Sequence, residues 1–456
     1  MNKEVKKELI SIVGSDRVTD AVEHLVAYSY DAYTEEHLPD IVLFPVTTEE
    51  VSAIMKLAYR ECIPVTPRGA GTNLAGESVP LRGGIVVCLT QMDRILSVDE
   101  KNRTAIVQPG VVNMELQKAV EKKGLMYPPD PSSWAVATMG GTVGTNAGGP
   151  RTLKYGVTKD YLLGLTVVLA NGDVLKTGGK TLKNVTGYNL TGLLCGSEGT
   201  LGIITEITVR LIPKPQDSRT LRADFECLED CSDAVSAIIA SGIVPAALEL
   251  MNQFTIRAVE RSFNLGLPLD IEGILLVQLD GSPLTLDHEV EQIAAILRGK
   301  RAQSVLVAKD EPEAERLWLA RRAAAPALTR LRPNKITEDV TVPVANLTAM
   351  IRKVMEICRS HGIDVGVIAH AGDGNLHPCM VFDKRNEEEL ARVEAACEAL
   401  APEALALGGT LSGEHGIGIA KSPFLHFEMD SVALRVMKGI KEFFDPKGIL
   451  NPGKFV

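Results

Sequence analysis

Pro67-Arg68-Gly69-Ala70-Gly71-Thr72-Asn73-Leu74-Ala75-Gly76 is the stretch on which the fold turns. It follows a short apolar run at 63–66. Successive small residues let backbone N–H groups converge into an anion-binding nest, and Thr72 and Asn73 add side-chain donors. The spacing is not a Rossmann fingerprint, because Leu74 stands where the third glycine is required and that glycine falls at Gly76. Gly179-Lys180-Thr181 likewise fails as a P-loop, since Val174 occupies the place of its first glycine. Without that glycine the backbone cannot wrap phosphates, which excludes nucleoside triphosphate binding. Two more backbone-exposing stretches follow, at 139–149 and 196–203. One such loop is ordinarily a turn; three predict a long ligand lying along exposed backbone, such as a dinucleotide.

Outward from these loops the chain alternates strand and helix. Residues 1–40 read as helices with charged faces, 41–45 as a buried strand, and 51–58 as a helix behind the start signal Thr47-Thr48-Glu49-Glu50. Strand patterns recur at 63–66, 84–89, 104–107, 165–170, 174–176 and 203–211, with a helix at 113–123. This is an α+β nucleotide-type arrangement. Residues 212–217, with Pro213 and Pro215, read as a linker. Strands at 221–225, 247–250 and 274–279 then alternate with helices at 233–241 and 286–298, the pattern of a helix-backed antiparallel sheet. A Glu/Ala/Leu-rich helix is expected at 386–407, and the irregular segment 444–454 is expected to dock.

Composition narrows the function. At 456 residues the chain is too long for one simple core. A net charge of −10 and only 4% aromatic residues argue against a nucleic-acid partner, which needs a basic surface and stacking platforms. No apolar run approaches the roughly 20 residues of a transmembrane helix, and residues 1–8 lack a signal-peptide core, so a protein that is cytoplasmic or peripheral to a membrane is expected. The eight cysteines form no Cys-x-x-Cys and no iron–sulfur spacing, so the chain carries no electron relay of its own.

The chemistry concentrates in His370-Ala371-Gly372-Asp373-Gly374-Asn375-Leu376-His377 and in Glu414-His415. Asp373-Gly374 between two apolar runs is a hairpin signal, and a hairpin brings both imidazoles together at the strand ends. Two imidazoles and a carboxylate suit a divalent transition metal with an open coordination position. His370, His377 and Glu414 are the expected ligands of zinc, iron or manganese, all of which this ligand set allows, and His415 is a base beside them.

These motifs, in this order, resemble the family of D-2-hydroxyacid dehydrogenases and the flavin-carrying subunits of glycolate oxidases, FAD-linked proteins of the vanillyl-alcohol oxidase (PCMH) type. The similarity runs over nearly the whole chain. It implies a two-part FAD domain, residues 1–215 completed by 426–456, and an α/β substrate (cap) domain with an antiparallel sheet at 216–425 that holds the metal site. Cofactor contacts implied by the resemblance are Pro67, Arg68, Gly69, Ala70, Gly71, Thr72, Asn73 and Gly76 in the first loop. Pro131, Ser132, Met139, Gly140, Gly141, Gly144, Asn146 and Gly149 follow in the second, then Glu198, Gly199, Ile203 and the C-terminal Asn451. With neither His nor Cys at 67–76, FAD is expected to be non-covalent.

In related dehydrogenases an Arg three residues after a Trp holds the substrate carboxylate, which here points to Arg321 after Trp318. A guanidinium fork binds a carboxylate in two-pronged fashion. Arg322 reads as a surface ion pair. Some relatives carry a Lys where this chain has Thr337, and Lys335 is the nearby substitute. The expected reaction is oxidation of a small D-2-hydroxyacid, D-lactate or glycolate, to the 2-oxoacid. His415 takes the hydroxyl proton, the metal assists, and flavin N5 receives the hydride. Electrons are expected to leave to an electron-transfer flavoprotein or an iron–sulfur protein, and the family allows for a multi-subunit complex. The competing reading is a non-catalytic, flavin-binding electron-conduit subunit.

Overall fold

The computed structural model describes residues 1–455. The chain divides into two compact units, one of residues 1–148, 157–214 and 414–456, the other of 149–156 and 215–413. The sequence-based boundary at 215/216 lies beside the 214/215 division. The return expected at 426 begins at Glu414, and residues 149–156 join the second unit.

In the first unit, strands Ile41–Leu43, Val65–Arg68 and Ile85–Cys88 pair in parallel. Helices Lys3–Val13 and Thr48–Glu61 supply Val5, Leu9, Val51, Ile54 and Met55 to a core shared with Ile41, Leu43, Val65, Ile85 and Val87. Thr47 caps the second helix by accepting from the Glu50 amide. A five-stranded antiparallel sheet runs Ile95–Asp99, Thr104–Val107, Ile203–Arg210, Leu162–Val168, Val174–Gly178 in spatial order. The docking expected of the C-terminus is present. Leu450 bridges to Val65 in parallel, Ile449 and Leu450 enter the core, and the Val65 amide donates to the Ile449 carbonyl at 2.8 Å.

Three local expectations need correction. Residues 1–40 are not helices throughout: past Lys3–Val13 there are only single turns and the short strand Val18–Thr19. The division between the units does fall within the expected linker 212–217, but the linker is shorter than that, because Ile212–Pro213 pairs with Leu125–Met126 and Asp217 already opens a nine-residue strand. The small residues at 139–149 are not an open loop; Met139–Thr145 is a helix, capped by Thr138 and closed by the left-handed Asn146.

The second unit is one eight-stranded sheet with helices on both faces. Alternation along each strand sorts side chains between those faces. Leu248 and Leu250, Val365, Val367 and Ala369, and Leu376, Met380 and Phe382 face helices Leu228–Ala240, Pro283–Gly299, Leu347–Ser360 and Glu387–Ala406. Met251, Ile368, Cys379 and Val381 face helices Gln253–Phe263 and Glu311–Thr329. The segment 149–156 is tied to this unit through Asp280, which accepts from Lys154 Nζ at 2.5 Å and from the Tyr155 hydroxyl at 2.8 Å. No helix among the described residues is long and apolar enough to cross a membrane.

Candidate active site

The hairpin expected from Asp373-Gly374 is present: Val365–His370 pairs antiparallel with Asn375–Phe382. Gly374 adopts φ +82°, and a Cβ there would sit 2.0 Å from the Val342 carbonyl oxygen, so only glycine fits. The His370 and His377 rings lie edge to face with centroids 5.1 Å apart, both buried. By strand parity they share the face that carries Ile368, Cys379 and helix Glu311–Thr329.

Sequence reasoning missed Glu249. It is the cross-strand partner of His370, on the same sheet face. Its Oε1 meets His370 Nδ1 at 2.7 Å, and its Oε2 accepts from Arg321 Nε at 2.6 Å. Burial alone would raise the pKa of this wholly enclosed carboxyl, but Arg321 and His370 outweigh burial and hold it below the usual carboxylate value. Glu249 thus stays ionised and fixes two groups at once. With Nδ1 bound to the carboxylate, Nε2 is the His370 nitrogen left that could serve a metal, as in a carboxylate–histidine–metal arrangement. Arg321 is 6% exposed, and Ala320 and Ala324 beside it are small enough to let its helix approach the sheet. Its Nε is committed to Glu249, while neither Nη group has a partner among the described residues. A guanidinium so held is ready for a carboxylate.

Asp339, also unanticipated as a site residue, is fully buried 3.7 Å from His377 Nδ1. It accepts from Asn375 Nδ2 at 2.6 Å and from the Ser412 hydroxyl at 2.8 Å. Thr337 and Lys335 oppose Cys379 and Val381, on the face of the histidines. Arg322 pairs with Glu315 at the surface, as expected. Gly413, last residue of this unit, packs against Thr341 and Asn375, where a Cβ would come within 2.5 Å of either side chain. Glu414 and His415 follow it in the chain, in the other unit, with side chains 14% and 9% exposed. The histidine pair with its carboxylate support fits a divalent transition metal by donor chemistry.

The first unit holds a cleft of about 570 Å³, counting its open mouth. Of the expected cofactor residues, Pro67, Arg68, Gly69, Asn73, Gly140, Gly141, Gly144, Glu198 and Gly199 line it. Tight backbone approach makes this cradle. A Cβ on Gly69 would fall 2.3 Å from Thr138 Oγ1, and one on Gly199 (φ +70°) 2.3 Å from Pro67. The Arg68 side chain is turned inward beneath the loop, donating to the Tyr30 carbonyl at 2.8 Å and lying over the Tyr28 ring. It braces the loop from below.

Ala70, Gly71, Thr72, Gly76, Pro131, Ser132 and Asn146 do not line the cleft, and Gly149 belongs to the other unit. Met139 and Ile203 are fully buried, and Ile204, one residue on, presents its side to the cleft instead. Asn451 works from behind, its Nδ2 donating to the Glu77 and Glu198 carbonyls at 2.8 and 2.7 Å. Glu77, Ser78, Pro109 and Thr138 line the cleft without having been anticipated. A groove walled by glycine backbone fits an extended dinucleotide such as FAD.

Comparison with known proteins agrees with both halves. Residues 39–178 match the family described as FAD binding domain, and residues 214–455 match FAD linked oxidases, C-terminal domain. The chain is 45% identical over 455 residues to glycolate oxidase subunit GlcD of Bacillus subtilis (strain 168), covering 100% of this chain and 97% of the relative. It is 38% identical over 424 residues to a D-lactate dehydrogenase of Anaerostipes hadrus, covering 91% and 89%. In fold it is similar to p-cresol methylhydroxylase with substrate bound, at TM-score 0.81 and 18% identity over 99% of this chain and 96% of that one. The fold is therefore α+β with a PCMH-type FAD-binding unit, and the chain belongs to the FAD-linked oxidase family, alongside its glycolate oxidase GlcD and D-lactate dehydrogenase members, as a flavin-dependent oxidoreductase.

Proposed function

We propose that this protein oxidises a small D-2-hydroxyacid, D-lactate or glycolate, to the 2-oxoacid. The observation that carries the reading is the Arg321–Glu249–His370 chain, which sets a carboxylate-binding guanidinium and a metal-type imidazole on one buried anion. When bound, FAD supplies the hydride acceptor and a divalent cation supplies the Lewis acid. The two Nη groups of Arg321 bind the substrate carboxylate. His370, His377 and Glu414 hold the cation, and the first two are fixed by the hairpin. His415 takes the hydroxyl proton, a role suited to imidazole because its ordinary pKa lies near neutrality. Relatives named as a subunit of glycolate oxidase support a multi-subunit setting in which electrons leave to a partner protein, an electron-transfer flavoprotein or an iron–sulfur protein.

An anaerobic absorbance titration with D-lactate, L-lactate, glycolate and D-2-hydroxyglutarate, with and without prior chelation, tests this. Bleaching of the flavin band by D-lactate or glycolate, lost on chelation and restored by added metal, is the expected result. A flavin band that no hydroxyacid bleaches would overturn the substrate class; bleaching untouched by chelation would overturn the metal.

A further inference from the structure

Among the buried acids of the first unit, Glu77 and Glu198 stand at the cofactor cleft and have no part in the reaction above. Glu77 is 4% exposed and Glu198 6%, and both line the cofactor cleft. Their Oε1 atoms converge: each would lie under 3 Å from a Cβ placed on Gly416, at 2.7 and 2.8 Å. Asn451 pins the two backbones that carry them. Neither acid has an ion-pair partner among the described residues. Lys454, an enclosed cation in their surroundings, donates to the Val79 carbonyl and Asn451 Oδ1 instead. Two unpaired carboxylates cannot both stay ionised in such a place, because desolvation and mutual repulsion each oppose it.

The hydrogen bonds say which acid keeps the proton. Glu198 accepts from the Ile417 amide at 2.7 Å and the Gly418 amide at 2.9 Å, so its anion is held by both oxygens. Glu77 accepts from the Ala75 amide through Oε2, at the longer distance of 3.2 Å. Its Oε1 is buried without any hydrogen-bond partner. A carboxylic O–H at that atom is a donor waiting for an acceptor.

We propose that Glu77 is a neutral carboxylic acid in the cofactor cleft, sharing one proton with Glu198, and that it donates Oε1–H to a diphosphate oxygen of the bound dinucleotide. This rests on the family's FAD binding and adds a specific contact to it. An ionised Glu77 would repel the same oxygen, so protonation decides between grip and repulsion. Burial and then Glu198 push the Glu77 pKa well above the carboxylate range, and burial raises Glu198 to about 7 against its two amides. The other charged groups facing the pair are Asp31, Lys421 and Lys454, the last lowered by burial to about 7.

The test is FAD and ADP binding by wild type, Glu77→Gln and Glu198→Gln between pH 6 and pH 9, with melting temperatures as a folding control. Wild-type affinity for both ligands should weaken as pH rises, by up to about tenfold per unit once the acid ionises. Glu77→Gln should hold the wild-type acid-side affinity at every pH, because its amide donates throughout. Glu198→Gln should move the loss to lower pH, since removing the like charge that holds the Glu77 proton on makes Glu77 easier to ionise. A pH-flat wild type overturns the assignment. So does a Glu77→Gln protein that weakens in parallel with wild type, or a trend seen with FAD and absent with ADP. If wild type binds no flavin at any pH, it is the cofactor reading that fails instead.

Discussion

One carboxylate, Glu249, organises the chemistry of the second unit. Its two oxygens each face a different partner, Oε1 meeting His370 Nδ1 and Oε2 accepting from Arg321 Nε. Glu249→Gln keeps the shape but removes the charge and places an amide N–H toward one donor. Loss of a supporting carboxylate of this kind costs roughly 10–100-fold in metal affinity. The expected outcome is a folded protein whose metal content after dialysis falls well below wild type, read by elemental analysis. Arg321→Lys is a separate probe at this scale. Lysine keeps the positive charge and loses the fork, so KM for the hydroxyacid should rise about tenfold or more with a smaller change in kcat. Steady-state kinetics separate the two, and an unchanged KM would remove Arg321 from substrate binding.

Elements set these residues by parity and register. The histidine hairpin could be read directly from sequence, because both imidazoles and their turn lie within eight consecutive residues. Glu249 could not. It reaches His370 only through the pairing of Ala247–Asn252 with Val365–His370, a register fixed by the burial of Leu248, Leu250, Val367 and Ala369 on the opposite face. The same limit hid Glu77, an acid beside a small-residue loop whose partner comes from a strand-entry turn far along the chain. The helix at Met139–Thr145 was missed because three glycines in seven residues speak against a helix. Gly140 is there for contact, since a Cβ would meet Pro109 at 2.6 Å.

The clustering of Glu77, Glu198 and residues 416–418 has a consequence for the stability of the ligand-free chain. Both acids have pKa values raised in the folded state. Stability they contribute is present below the ordinary carboxylate range and is lost as pH climbs through about 7 for Glu198 and through the raised value of Glu77. Glu77→Gln escapes that loss. Its melting temperature relative to wild type should therefore be higher at pH 8 than at pH 5, by differential scanning fluorimetry. A difference that shrinks with rising pH would refute the sign.

At the scale of the whole molecule, the chain crosses between units more than the sequence suggested. The excursion at 149–156 leaves the first unit, packs Leu153 against Leu248 and Gly372, engages Asp280, and returns. A proline-rich stretch announced the crossing near 214, but 149–156 is only eight residues long and carries no hydrophobic period to mark a separate element, so that crossing was not legible. Asp280→Asn tests how firmly the excursion is held. Losing charge-assisted bonds to Lys154 and Tyr155 should cost about 1–3 kcal/mol, seen as a lower denaturation midpoint. An unchanged midpoint would mean that the Asp280 carboxylate is not what anchors the segment.

The docking of Ile449, Leu450 and Asn451 onto Val65 also orders events during synthesis. The sheet that carries the cofactor loop lacks part of its core until residues 445–451 have left the ribosome. The second unit, apart from the short 149–156 excursion, is one continuous stretch and has all its strands well before that. Translation thus completes the sheet of the second unit first, and the core behind the 67–76 loop only once residues 445–451 have emerged. A nascent polypeptide stalled before that point would display an assembled sheet with its histidine hairpin and no finished seat for the cofactor.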